Sequence, residues 1–282
     1  MMQFFTDLFR YPFLQYALMA ALLSSVASGV VGSLVVVRRS TYVAGAIAHC
    51  VLGGMGVARF ASTVYGVTWL TPMVGAFIAA FIAACVIAWA TVYVKERLDS
   101  VLSIVWALGM AIGITFIMKT PGYAQDLMSY LFGSILMVSP TDLMLMLVLD
   151  AVILAGVLLF YNRILAVCFH EEAALARGIP VGLYTFLILI FTAITTVLLS
   201  QIVGIVMVIA LLSIPAATVS RFTRRLSTMM IAATGLSMAL SLGGLCISYG
   251  PELPVGATII ELAGLCYLAA ILASAGPKRR RR

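Results

Sequence analysis

The sequence predicts an all-α polytopic integral membrane protein: one bundle of eight or nine transmembrane helices in a single domain over residues 1–282. Three observations carry this. The chain is 63% hydrophobic and only 10% charged, with a mean hydropathy of +1.16, whereas a soluble domain has about 25% charged residues. Apolar runs of membrane-crossing length, about 20 residues each, follow one another with short polar breaks. The cations cluster in alternate breaks, as they do in membrane proteins.

The first run is 13–37. It is longer than the about 7–15 apolar residues of a signal-peptide core and has no small-residue cleavage pattern, so it reads as a mature helix. The second, 42–58, is short and follows Arg38 and Arg39. The third is 70–94 and the fourth 99–118. After Pro121 and Gly122, residues 127–138 are too few to span comfortably. The fifth run is 140–161, the sixth 180–200, the seventh 202–220, the eighth 226–248 and the ninth 254–275. Only Ser200 and Gln201 mark the boundary between the sixth and seventh, which leaves eight spans as the alternative to nine. Pro215 lies inside the seventh and predicts a kink or break there.

Arg38, Arg39, Lys95, Arg97, Arg163, Arg177, Arg221, Arg224, Arg225 and the tail Lys278–Arg282 fall on one side of a nine-span arrangement. Arg10, Arg59 and Lys119 fall on the other. The positive-inside rule then predicts a cytoplasmic C-terminus and an external N-terminus. The net charge of +7 sits in these loop clusters and in the tail, which fits an anionic lipid surface rather than nucleic acid. Cysteines 50, 85, 168, 246 and 266 have no CxxC spacing. They predict neither a disulfide framework nor a thiolate metal site.

The second run holds the most telling chemistry. As a helix it puts Gly45, His49, Gly53 and Gly56 on one stripe and Val43, Ile47 and Val51 on the opposite side. A glycine face in a membrane packs against helices or lines a path, and the greasy face can meet lipid. An ionisable side chain inside the membrane is expensive and is usually functional, so His49 is the first candidate to line an ion path. Imidazole suits zinc, manganese and iron alike and does not name the metal. Asp150 and Glu261 lie mid-span and are weaker candidates as ligands, proton relays or halves of buried pairs. Asp126 and Glu252 read as solvated loop charges. The 15 methionines read as packing rather than as a copper stripe.

One break differs from the rest. Phe169 to Pro180 reads as a short amphipathic helix with Glu171 and Glu172 near its start, Arg177 near its end, Gly178 closing it and Pro180 stopping it. It is either an ordinary surface helix or a docking helix for a soluble partner.

Several stretches together are similar to the ABC-type zinc, manganese and iron permeases. Tyr42 to Gly54 resembles the family's second-helix motif, which usually reads like F-I-G-D-A-I-S-H-A-V-L-P-G. Phe169 to Pro180 resembles its F-D-x-x-x-A-x-x-x-G-I-P, and Leu211 to Arg221 its L-L-I-P-A-A-T-A-R. Leu131 to Leu136 is similar to its L-F-G-x-I-L, and Tyr249 to Ile260 to its S-Y-x-x-x-x-P-x-G-A-T-I. The five lie in register along the chain.

The resemblance implies a type II ABC importer-like permease for divalent transition metal ions. It implies a dimer of permease copies, alike or different, with cytoplasmic ABC ATPases and an external metal-binding protein. The chain has no GxxxxGK[ST] phosphate loop, so it is not itself an enzyme and a partner would hydrolyse ATP. No cofactor is held permanently; the metal is cargo. The 169–180 segment becomes the coupling helix, with Glu171, Glu172, Ala174, Arg177 and Gly178 facing the ATPase. One departure matters: the family's Asp four residues before the His is Gly45 here. Two other readings compete. One is a metal-chelate permease of the siderophore or cobalamin type, which usually has a longer chain with ten spans. The other is a gradient-driven carrier using Asp150 and Glu261. An intramembrane enzyme would need clustered catalytic residues such as HExxH, which the sequence lacks.

Overall fold

The computed structural model describes residues 7–121, 138–251 and 253–274, which are helices joined by short turns. In chain order they are α1 (Pro12–Val37), α2 (Tyr42–Tyr65), α3 (Pro72–Ala88, extended by a π-helical turn Trp89–Val94), α4 (Leu98–Lys119) and α5 (Pro140–Leu159). Then come two short helices, α6 (Tyr161–Phe169) and α7 (Glu171–Ala176). Four more follow: α8 (Val181–Val203), α9 (Ile205–Ser220), α10 (Leu226–Tyr249) and α11 (Val255–Ser274). The segment 127–138, except Val138, lies outside the described residues, as do Asp126, Glu252 and the basic tail.

Eight helices among the described residues are long and apolar enough to cross a membrane. The ninth, α9, is apolar but has 16 residues, about 24 Å at 1.5 Å per residue, against a hydrocarbon core of about 30 Å. The count therefore falls between the two sequence readings. The break lies at Gly204, not at Ser200–Gln201. Its φ of 82° and ψ of 159° belong to a backbone region essentially reserved for glycine. Pro215 does not break α9, which runs on to Ser220. Helices packed within a membrane protein tolerate proline because neighbouring groups satisfy the freed carbonyl.

The polar breaks sort onto two ends, as the charge pattern predicts. At one end Arg38, Glu171 and Thr185 meet, and Arg221 donates to Ser274. At the other the Tyr249 hydroxyl donates to Asp7 at 2.9 Å. A capping box in which Ser139 and Asp142 bond each other's backbone N–H starts α5 there. α9 returns toward the cation-rich end, where Ala216 and Val219 pack against Val36 and Val37 of α1.

α1 and α2 are the two buried cores of the bundle. α1 meets α10 through hydroxyl pairs, Ser28 with Ser237 at 3.0 Å and Ser25 with Ser241 at 3.4 Å. α2 lies between α3 and α4 on one side and α8 and α9 on the other. Val43, Ile47 and Val51 are therefore buried rather than lipid-facing. The sequence cannot tell a lipid-facing apolar side from one covered by a later helix, because both are greasy.

The α2–α3 contact is backbone on backbone. A Cβ at Gly54 would lie 2.1 Å from the carbonyl oxygen of Gly75, and one at Gly75 2.4 Å from that of Gly54. Small residues let membrane helices approach this closely. Gly54→Val must push the helices apart, and overpacking costs about 1–3 kcal/mol. We expect the thermal midpoint of the detergent-purified protein to fall by about 2–10 °C. An unchanged midpoint would contradict this crossing.

All five cysteines are free thiols. Burial pushes the Cys168 thiol, at the end of α6, up to about 11, so it carries no thiolate at neutral pH.

Candidate functional site

The glycine stripe of α2 is a packing face. A Cβ at Gly53 would lie 2.8 Å from the carbonyl oxygen of Gly109, and one at Gly56 2.8 Å from that of Gly113. Gly109 and Gly113 form the matching small-residue pair on α4. The Cys50 thiol donates to the Val105 carbonyl at 3.3 Å across the same seam. This close approach brings His49 against α4, where its imidazole stacks on the Trp106 ring at 4.4 Å and 25°. His49 Nδ1 is buried and has no hydrogen-bond partner among the described residues. A buried unmade hydrogen bond is costly, of order 1–3 kcal/mol.

His49 is seven residues into α2, about 10 Å from the cation-rich end. Below it opens a cavity of about 480 Å³ lined by Tyr42, Asp99, Leu102, Ser103 and Trp106. Trp106 is the residue that sequence reasoning missed. The signal was faint: an aromatic seven residues after Asp99 on α4, the same interval that separates Tyr42 from His49 on α2.

Gly45 is closed by the same ring. A Cβ there would meet Trp106 Cζ3 at 2.7 Å and Ile209 Cδ1 at 3.1 Å. The position four residues before His49 therefore has no room for an added carboxylate while the indole stays in place.

Asp150 and Glu261 do not join His49. Asp150 is only 4% exposed and both its carboxylate oxygens lack partners among the described residues. It sits on the buried face of α5, which packs mainly on α1. Glu261 is exposed on α11, which packs on α9 and α10. No group of three or more His, Cys, Asp or Glu side chains gathers among the described residues.

The 169–180 segment folds as α7 at the cation-rich end. Its closure explains Gly178, which has a φ of 74° and no atom within 4 Å of an added Cβ. The Ile179 N–H donates to the Ala174 carbonyl at 3.0 Å and the Gly178 N–H to that of Leu175 at 2.9 Å, a Schellman ending that needs a left-handed residue. Arg38 at the end of α1 donates to Glu171 at 2.6 Å and to Thr185 of α8 at 2.9 Å. An ion pair with one exposed partner adds little stability, about 0–1 kcal/mol; this one links α7 to the ends of α1 and α8. Glu172, Arg177 and Gly178 are exposed. Ala174 is not, at 1%. The expectation that its side chain faces a partner is corrected: it anchors α7 to the chain's own bundle. The helix is six residues long, and the sequence alone did not say which of its faces the bundle takes.

Comparisons with known proteins agree with this architecture. The chain is 39% identical to the uncharacterized membrane protein slr2045 of Synechocystis sp., over 93% of this chain and 91% of the relative. It is 32% identical to the manganese transport system membrane protein MntC of Halalkalibacterium halodurans, over 96% of this chain and 90% of that one. Among solved structures it is similar to PsaBC from Streptococcus pneumoniae in complex with Fab, with a TM-score of 0.83, 29% identity, and 95% and 94% of the two chains covered. The model of the ABC 3 transport family matches residues 10–274, which takes in α1 to α11 whole. An all-helical membrane bundle with a histidine on its second helix, matched along that whole length, belongs to the ABC 3 transport family.

Proposed function

We propose that this chain is the transmembrane permease subunit of an ATP-driven importer of divalent transition metal ions, with manganese the first cargo to test and zinc and iron the others. The observation that supports it most is the 32% identity, over nearly the full chain, to a relative named as a manganese transport membrane protein. Two permease copies, alike or different, enclose the path. A cytoplasmic ABC ATPase drives them and an external metal-binding protein delivers the ion.

His49 is the ligand on this path. It is the intramembrane imidazole of the chain, and its buried Nδ1 lacks a partner. A neutral imidazole offers one lone pair to a cation, and a single ligand per subunit makes a weak site. Weak binding suits an ion that must be released. At the cytoplasmic end α7 is the coupling helix, offering Glu172, Arg177 and Gly178 outward, while Glu171 and Ala174 tie it to the bundle. A gradient-driven carrier would use Asp150 and Glu261 together, and these two lie on helices that pack on different partners.

The experiment is uptake of radiolabelled manganese in cells stripped of other importers. The chain with its ATPase should restore uptake at least about tenfold over background. The chain with an ATPase lacking its catalytic carboxylate should not. Uptake without a working ATPase would refute the reading.

A further inference from the structure

We propose that Trp106 is the gating residue of the His49 site: its indole holds the divalent cation's place beside the imidazole and must swing into the adjoining cavity before an ion can bind there. The proposal rests on the reading of His49 as the ion's ligand.

Two helix faces carry the argument. Tyr42, Gly45 and His49 lie at i, i+3 and i+7 on α2, and Asp99, Ser103 and Trp106 at i, i+4 and i+7 on α4. Such spacings share a helix face. Both helices rise from the cation-rich end, so Tyr42 is level with Asp99 and His49 with Trp106. The stack at 4.4 Å confirms the upper rung, and the shared cavity lining confirms the lower one.

A second ligand for an ion held by His49 would come most directly from position 45, one helical turn away. The six-membered ring of Trp106 fills that space, as the 2.7 Å approach to a Gly45 Cβ demonstrates. The glycine and the indole are thus a matched pair, each taking the form the other permits. The ring stacks on His49 with both rings only partly buried, so it is not locked by packing on every side.

The ring has somewhere to go. The cavity it borders has a volume of about 480 Å³, on the scale of pockets that take small ligands, about 300–1,000 Å³. Asp99 lies at the cavity's lower end, about 10 Å below His49 along the helix. That is too far to share an ion with His49.

The test uses the assembled permease–ATPase complex in lipid nanodiscs and manganese(II) as the probe, with free ion followed by electron paramagnetic resonance. Trp106→Ala should bind manganese about tenfold more tightly, a gain that general damage would not produce. Trp106→Leu keeps an apolar filling if the alanine variant assembles poorly, and should move binding the same way. Gly45→Asp alone should bind no tighter than wild type, because the ring stands where the carboxylate would go. Gly45→Asp with Trp106→Ala should bind tighter than Trp106→Ala alone, and that non-additivity is the signature of a shared space. Unchanged or weaker binding in both Trp106 variants, with binding still lost in His49→Ala, overturns the gate alone. Tight binding that survives His49→Ala in the Trp106→Ala background overturns the reading of His49 itself.

Discussion

His49→Ala is expected to reduce manganese uptake to background while leaving assembly intact. Alanine is the best helix former, so α2 keeps its shape and its glycine contacts with α4. The lost stack on Trp106 removes about 0.5–1.5 kcal/mol of aromatic contact. Relief of the unpartnered, buried Nδ1 offsets part of that loss. Stability should therefore move little, and a drop of more than a few degrees in the thermal midpoint would argue for a structural role. Uptake should fall by at least about tenfold, since the imidazole is the ligand we assign within this part of the membrane. Wild-type uptake by this variant, measured in cells lacking other importers, would return His49 to a packing role.

Ala174→Arg is expected to abolish coupled transport and to weaken the fold. The side chain at 174 is 1% exposed, so the guanidinium has no solvated position without lifting α7 off the bundle. Burying a charge without a partner is among the most damaging changes a protein can carry. Lifting α7 would also strain the bond from Arg38 to Glu171. Uptake and ATPase co-purification should both be lost, and the thermal midpoint should fall by several degrees. Glu172→Lys is the informative contrast, because Glu172 is exposed. That variant should lose ATPase docking with an unchanged midpoint. An Ala174→Arg protein that assembles and transports normally would show that α7 has no coupling role.

The apolar runs made most helices legible within a few residues. α1, α4, α10 and α11 start and stop within one or two residues of their runs, because a membrane span must satisfy its backbone internally and has a fixed length. Two misses have physical causes. The second run extends to Tyr65, since Arg59, Ser62 and Thr63 interrupt the apolar pattern without ending the helix. The sixth and seventh runs divide at Gly204, because a glycine-only backbone angle sets the break and the change of composition does not.

The sequence by itself determined the membrane class, the one-sided cations, the intramembrane His49 and the cap chemistry of α7. These follow from composition, spacing and local backbone preference, which need no knowledge of neighbours. Tertiary structure alone decided which side each helix shows to the others. It turned the glycine stripe of α2 onto α4, buried Val43, Ile47 and Val51 inside the bundle, and set Ala174 inward. It also separated Asp150 and Glu261 from His49 and placed Trp106 against it. In a membrane the physical reason is simple. Lipid and protein interior are equally apolar, so hydropathy marks a helix but cannot orient it, and close backbone contact between small residues sets the rotation.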